Sequence, residues 1–120
     1  MENEKSFQNL RVWQSSYKLG LDIYRVTKTF PKEELFGLTS QLRRAIVSVS
    51  SNIAEGYGRK QPNDKEHFYV MAAGSLSEVQ SQLEFAKGLK YLSEKDCDLL
   101  IADAVSCARQ LSALLRTHRS

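Results

Sequence analysis

At 120 residues, 42% hydrophobic and 26% charged, the sequence has the make-up of one ordinary globular domain rather than a disordered chain or a membrane bundle. Two Pro and six Gly supply too few breaks for a β-sandwich or barrel. The net charge of +3 is unevenly spread, with ten Lys/Arg against six Asp/Glu in residues 1–60 and seven against eight in residues 61–120. The first half is therefore the one to meet a polyanion. No apolar run approaches the roughly 18 residues of a membrane-spanning helix. The opening Met-Glu-Asn-Glu-Lys-Ser has neither a basic start nor an apolar stretch, so a cytoplasmic, membrane-free protein is expected.

Four helices are predicted, near residues 9–30, 39–55, 64–90 and 94–116, in a single domain with flexible ends at about 1–7 and 117–120. In the first, Val12, Leu19, Ile23, Val26 and Phe30 recur at helical spacing and form one apolar stripe. Leu10, Trp13, Tyr17, Gly20 and Tyr24 form a second stripe about 110° away. Two stripes exceed what one packing partner requires, so the aromatic one is either the edge of the core or a subunit interface. Phe30-Pro31 ends this helix, and Pro31 to Gly37 has the signals of a short separate turn.

Thr39 is the expected N-cap of the second helix. Its apolar stripe is Leu42, Ala45, Ile46, Val49 and Ile53, beside a polar row of Gln41, Ser48, Asn52 and Glu55. Gly56, Gly58 and Pro62 are expected to stop it. Asn63 followed by Glu66 resembles a capping box for the third helix, whose inner face reads Phe68, Ala72, Ser75, Val79, Leu83 and Ala86. Ser93 caps the fourth, where Cys97, Leu100, Ile101, Ala104, Ala108, Leu111 and Leu115 make one stripe. Short loops between such helices imply antiparallel neighbours, hence an all-α, up-down-up-down four-helix bundle.

Chemistry is hard to find. A di-metal bundle site needs Glu-x-x-His pairs, yet Glu66 and His67 are adjacent and His118 lies in the tail. Cys97 and Cys107 sit ten residues apart on one helix, about 15 Å along its axis, too far for a disulfide, and read as packing residues. Glu55 and Glu78 are the carboxylates nearest a core stripe, and the plainer role for Glu55 is to pair with Arg59 or Asn52. No catalytic residue, metal or cofactor is expected.

The basic residues offer more. Arg11, Lys18 and Arg25 recur every seven positions, about 10 Å apart on one row, with Asp22 among them. Arg43 and Arg44 open the second helix. The loop Gly56-Tyr57-Gly58-Arg59-Lys60 lacks the Gly-Lys-Ser/Thr of a P-loop but joins cations to a stackable Tyr57, a combination that suits single-stranded RNA. A solvated helix face is the alternative reading of the same charges.

The ordered set Phe7-Gln-Asn-Leu-Arg-Val-Trp-Gln14, Phe30-Pro31, Gly37-Leu-Thr-Ser-Gln-Leu-Arg-Arg44, Ser51-Asn-Ile-Ala-Glu-Gly56 and Gly58-Arg59 is a specific combination. Ala73-Gly74-Ser75-Leu-Ser-Glu78, Gln82-Leu83 and Tyr91-Leu92 continue it. It resembles the four-helix-bundle proteins encoded in intervening sequences of bacterial 23S ribosomal RNA genes, whose relatives include the accessory variability determinant of diversity-generating retroelements. The last helix matches in pattern only. The resemblance implies a bundle assembled as a homopentamer, with no cofactor and no enzymatic activity. Two functions follow as expectations. One is RNA or other nucleic-acid binding through Arg11, Lys18, Arg25, Arg43, Arg44, Arg59, Lys60 and Tyr57. The other is a scaffold docking a protein such as a reverse transcriptase. The aromatic stripe of Leu10, Trp13, Tyr17 and Tyr24 is the expected oligomer interface.

Overall fold

A computed structural model describes residues 6–119. A 3-10 turn, Phe7–Asn9, leads into α1, Arg11–Thr27, and a second turn, Lys32–Glu34, leads into α2, Leu38–Tyr57. Helices α3, Pro62–Gly88, and α4, Glu94–Arg119, complete the chain, with no strand among the described residues. Each of α1 and α3 packs against both α2 and α4, while the diagonal pairs do not touch. Ser16 faces Ser50 and Thr27 faces Arg43; Ser48 faces Ser75 and Arg44 faces Glu78. Partners that run in opposite directions along both helices make these neighbours antiparallel. The result is the expected four-helix bundle. Of the expected flexible ends, residues 1–5 and 120 lie outside the described residues; Ser6 caps the first 3-10 turn, and α4 continues through position 119.

The first stripe of α1, with Phe30 just beyond the helix, and the stripe of α2 are buried as read. In α4, Cys97, Leu100, Ala104 and Leu111 are buried, joined by Cys107, while Ile101, Ala108 and Leu115 are half-buried against the core. In α3 the inner face is turned by one residue at two places. Tyr69 and Leu76 are buried where Phe68 and Ser75 were expected. Apolar residues stand on nearly every side of α3, so periodicity alone fixes its orientation poorly.

The helix ends also differ from expectation. Residues 28–30 leave α1 as a turn, with the Thr27 and Thr29 hydroxyls each donating 2.7 Å hydrogen bonds to the carbonyls of Ile23 and Val26. Such back-bonding competes with helix continuation. Thr39 does not cap α2. Gly37 holds the N-cap position, Thr39 is buried in the first turn, and the Glu34 carboxylate accepts the Leu38 N–H at 2.9 Å. Gly56 does not stop α2, which runs on to Tyr57, where Lys65 Nζ donates to the Tyr57 and Gly56 carbonyls at 2.8 and 3.3 Å. The Asn63 box does not form. Pro62 occupies the first turn of α3 behind Gln61, a position that suits a residue with no N–H to offer. Ser93 does cap α4, its hydroxyl accepting the Asp96 N–H at 3.0 Å. Between α3 and α4, Lys90 takes a left-handed φ of 63° while the Tyr91 N–H reaches back to the Ala86 carbonyl at 3.0 Å.

The two sides of α2 are finished differently. Toward α3, the polar row expected beside the core becomes a seam. Ser48 and Ser75 share a 2.9 Å hydroxyl bond, Asn52 donates to the Ser48 carbonyl at 2.9 Å, and Arg44 is paired with Glu78. Gly56 lies under the buried Tyr69 ring so closely that an added Cβ would stand 2.7 Å from Tyr69 Cε1. Toward α1, the helices part.

Candidate functional site

Between α1 and α2 lies an apolar groove of about 340 Å³ open to solvent. Its floor is made of small groups, Gly20, Ser50 and Ala54, with Ile46 beneath. Trp13, Tyr17, Leu21 and Tyr24 form the α1 wall, Val47 and Ser51 the α2 wall, and Phe7 the end. Trp13 stacks on Tyr17 with ring centroids 5.0 Å apart and 10° between planes, and Phe7 meets Trp13 edge-on at 5.1 Å. These contacts hold the rings in fixed positions, so a ligand would not have to order them. Tyr17 is nonetheless 50% exposed and Leu21 54%.

Three of the four expected interface residues, Trp13, Tyr17 and Tyr24, thus line one groove. Leu10 is half-buried against the core instead. Phe7, Leu21 and Val47 were missed. Tyr17, Leu21 and Tyr24 follow a spacing of four and three, which was legible; the α2 wall depends on which helix packs beside α1, which no local pattern reveals. Just beyond Tyr24 the chain exposes Leu35 and Phe36, the latter 91% exposed.

The basic residues do not gather into one patch. Lys18 and Arg25 share Asp22 at 3.2 and 3.4 Å. Arg43 is turned inward across the α1–α2 seam. Its Nε donates to the Thr27 hydroxyl at 2.9 Å, its Nη2 donates to the Tyr24 carbonyl at 3.3 Å, and its guanidinium lies 4.7 Å from the Tyr24 ring centroid. Arg44 is tied to Gln41 and Glu78. Arg59 pairs with Glu55 at 2.6 Å, as the plainer reading of Glu55 had it, and covers the Phe68 ring. Lys65 lies 5.5 Å from the centroid of the half-buried Tyr57 ring, which limits stacking there. Arg11 and Lys60 are exposed, and no ion pair engages either among the described residues.

Several titratable groups depart from their ordinary values. Burial pushes Tyr69 up to about 12 and the Cys107 thiol up to about 11, and raises Cys97 as well. The Leu38 N–H and the Tyr91 hydroxyl, donating at 2.9 and 2.7 Å, lower Glu34 below its usual value. Desolvation lowers Lys65. No cluster of three or more His, Cys, Asp or Glu suited to a metal occurs among the described residues, and no described helix is long and apolar enough to cross a membrane. The groove offers ring faces and methyl groups with few hydrogen-bonding partners. It is suited to burying apolar surface rather than to moving protons.

A family model described as 23S rRNA-intervening sequence protein matches residues 8–113 of the chain. No protein of curated function matches it. Among solved structures, a protein with unknown function from the S23 ribosomal protein family of Bacteroides thetaiotaomicron superposes with a TM-score of 0.81 at 19% identity. The alignment covers 88% of this chain and 95% of that one. At this identity the likeness speaks for the fold.

Proposed function

The chain belongs to the 23S rRNA-intervening sequence protein family, and from that premise we propose that it is a non-catalytic, self-assembling binding scaffold. The observation that carries this reading is the α1–α2 groove. An isolated chain would leave the Trp13, Tyr17, Leu21 and Val47 surface in water, and apolar surface gathered in one place marks an interaction site. A closed homo-oligomer covers it, and the family resemblance supplies the number five. Light scattering at micromolar concentration should give a multiple of the 13.6 kDa chain mass. Tyr17→Glu, which places a charge in the groove, should return the monomer with its helical signal intact. A wild-type monomer overturns the reading.

Nucleic-acid binding is the second reading, favoured by the positive balance of the first half and by exposed Arg11, Lys18, Arg25, Arg59 and Lys60. One chain at +3 is a weak polyanion ligand, but repetition around a ring multiplies each weak contact. Titration with fluorescent RNA at two salt concentrations tests it, since phosphate contacts release counterions and weaken steeply with salt. Replacing Lys18 and Arg25 with Glu should lower affinity and flatten that dependence. Absence of binding at low salt ends this reading and leaves the scaffold.

A further inference from the structure

A second unpartnered surface lies away from the groove, on α3. Val70, Gly74, Ser77, Ser81, Phe85 and Gly88 follow one another at spacings of three and four and are all exposed. They form a single outward row along the helix. Met71 and Leu89 flank it, 45% and 51% exposed, and Phe85 is 64% exposed. The outward row of a helix that only faces water normally carries charge; this one carries none. An added Cβ at Gly74 or Gly88 would meet nothing within 4 Å. Packing within the chain therefore gives no reason for a helix-interior glycine at Gly74, which carries an entropic cost.

The charges beside the two apolar surfaces are opposite in sign. Around the groove stand Arg43, turned across the α1–α2 seam, and, on the outer side of α1, Lys18 and Arg25 with Asp22 between them. Beside the α3 row stand Glu66 and Glu84, Glu78 being paired with Arg44 across the α2–α3 seam, while the two lysines of α3 are turned elsewhere, Lys65 onto Tyr57 and Lys87 to Asp98 at 2.8 Å. Two copies meeting groove to groove would set cation against cation. A groove meeting an α3 row sets cation against carboxylate.

We infer that the occupant of the α1–α2 groove is the outward face of α3 from a second copy of this chain, in a heterologous, head-to-tail contact. This rests on the self-assembly proposed above and names the two surfaces that make it. Because α1 and α3 stand at diagonal corners of the bundle, the two surfaces belong to different sides of one molecule. Each copy then gives its α3 row to one neighbour and its groove to another. Such a contact repeats, and it ends in a ring if the rotation closes.

The test uses two full-length variants at exposed positions, Leu21→Glu in the groove and Phe85→Glu on the α3 row, each checked for native helicity by circular dichroism. Each alone should be largely monomeric by light scattering. Mixed in equal amounts, they should form a 1:1 heterodimer and nothing larger, because one intact groove meets one intact α3 row and the remaining surfaces are both blocked. An oligomeric Phe85→Glu variant overturns this inference and leaves self-assembly standing. So does a mixture that stays monomeric when both single variants are monomers. A monomeric wild-type chain overturns both together. Met71→Glu, beside the same row, serves as the second α3 variant if Phe85→Glu loses helicity.

Discussion

The two seams along α2 solve different problems with similar residues. Toward α3, the Ser48–Ser75 bond and the Gly56 contact with Tyr69 draw the backbones together, and side chains fill the space between. Toward α1, Ser16 and Ser50 share a 2.9 Å hydroxyl bond and Gly20 again brings a small residue to the contact, yet a groove remains. The difference lies in where the large side chains point. Tyr69 of α3 turns inward over Gly56, whereas Trp13, Tyr17 and Tyr24 of α1 lean outward past Gly20. Small residues permit close approach; they close a seam only when a neighbour's bulk is directed into the space they leave. The closed seam buries its side chains, and the open one leaves apolar surface in contact with solvent.

The comparison is tested first in the core that both seams share. Leu42→Ala, at a fully buried position, should cost about 2–5 kcal/mol through the cavity it leaves, read by urea denaturation. A loss well below that range would show that the closed seam relaxes around the gap.

The glycines sharpen the contrast. Gly56→Ala places a methyl 2.7–2.9 Å from the buried Tyr69 ring and should destabilise by about 1–3 kcal/mol. Gly20→Ala meets Ile46 at an ordinary 3.5 Å and should stabilise by up to about 1 kcal/mol, the gain in helix propensity. Equal effects of the two substitutions on thermal unfolding would contradict the distinction between seams.

The smallest effect belongs to the strap before α2. Glu34 has its folded-state pKa lowered, first by the Leu38 N–H and then by the Tyr91 hydroxyl. A depressed carboxylate contributes stability that is present above its unfolded value, near 4.5, and is lost as pH falls through the folded value. Tyr91→Phe removes the second donor, so an NMR titration should show the Glu34 midpoint move part of the way back toward 4.5. An unchanged midpoint would mean that the Tyr91 bond does not form in solution.

Much of the bundle was legible because α1, α2 and α4 each carry a clean stripe, and a stripe fixes which side of a helix is buried. In α3, Phe68 stands beside Tyr69 and Ser75 beside Leu76, so the neighbours of the helix, rather than its own pattern, decide its orientation. Caps were legible only where the partner is local, as with Ser93. Glu34 and Lys65 act across a loop on α2, and that geometry exists only once the chain has folded. The same limit applies to the site. The second stripe of α1 announced the rings of the groove but not Val47 opposite them. Arg43 read as a free cation because its hydrogen-bond partners, Thr27 and the Tyr24 carbonyl, lie on another helix.

Cys97 and Cys107 give the fold a built-in clock. Both are buried and free, and both thiols are held more firmly protonated than usual. Alkylating reagents attack the thiolate, so neither residue should react until α4 lifts away and exposes it. The rate of modification under native conditions then reports how often that helix opens. Cys107 packs beside the Val12 carbonyl of α1, whereas Cys97 lies near the α3–α4 turn. Comparing the two rates separates detachment of α4 from α1 from fraying at the turn, without any engineered probe.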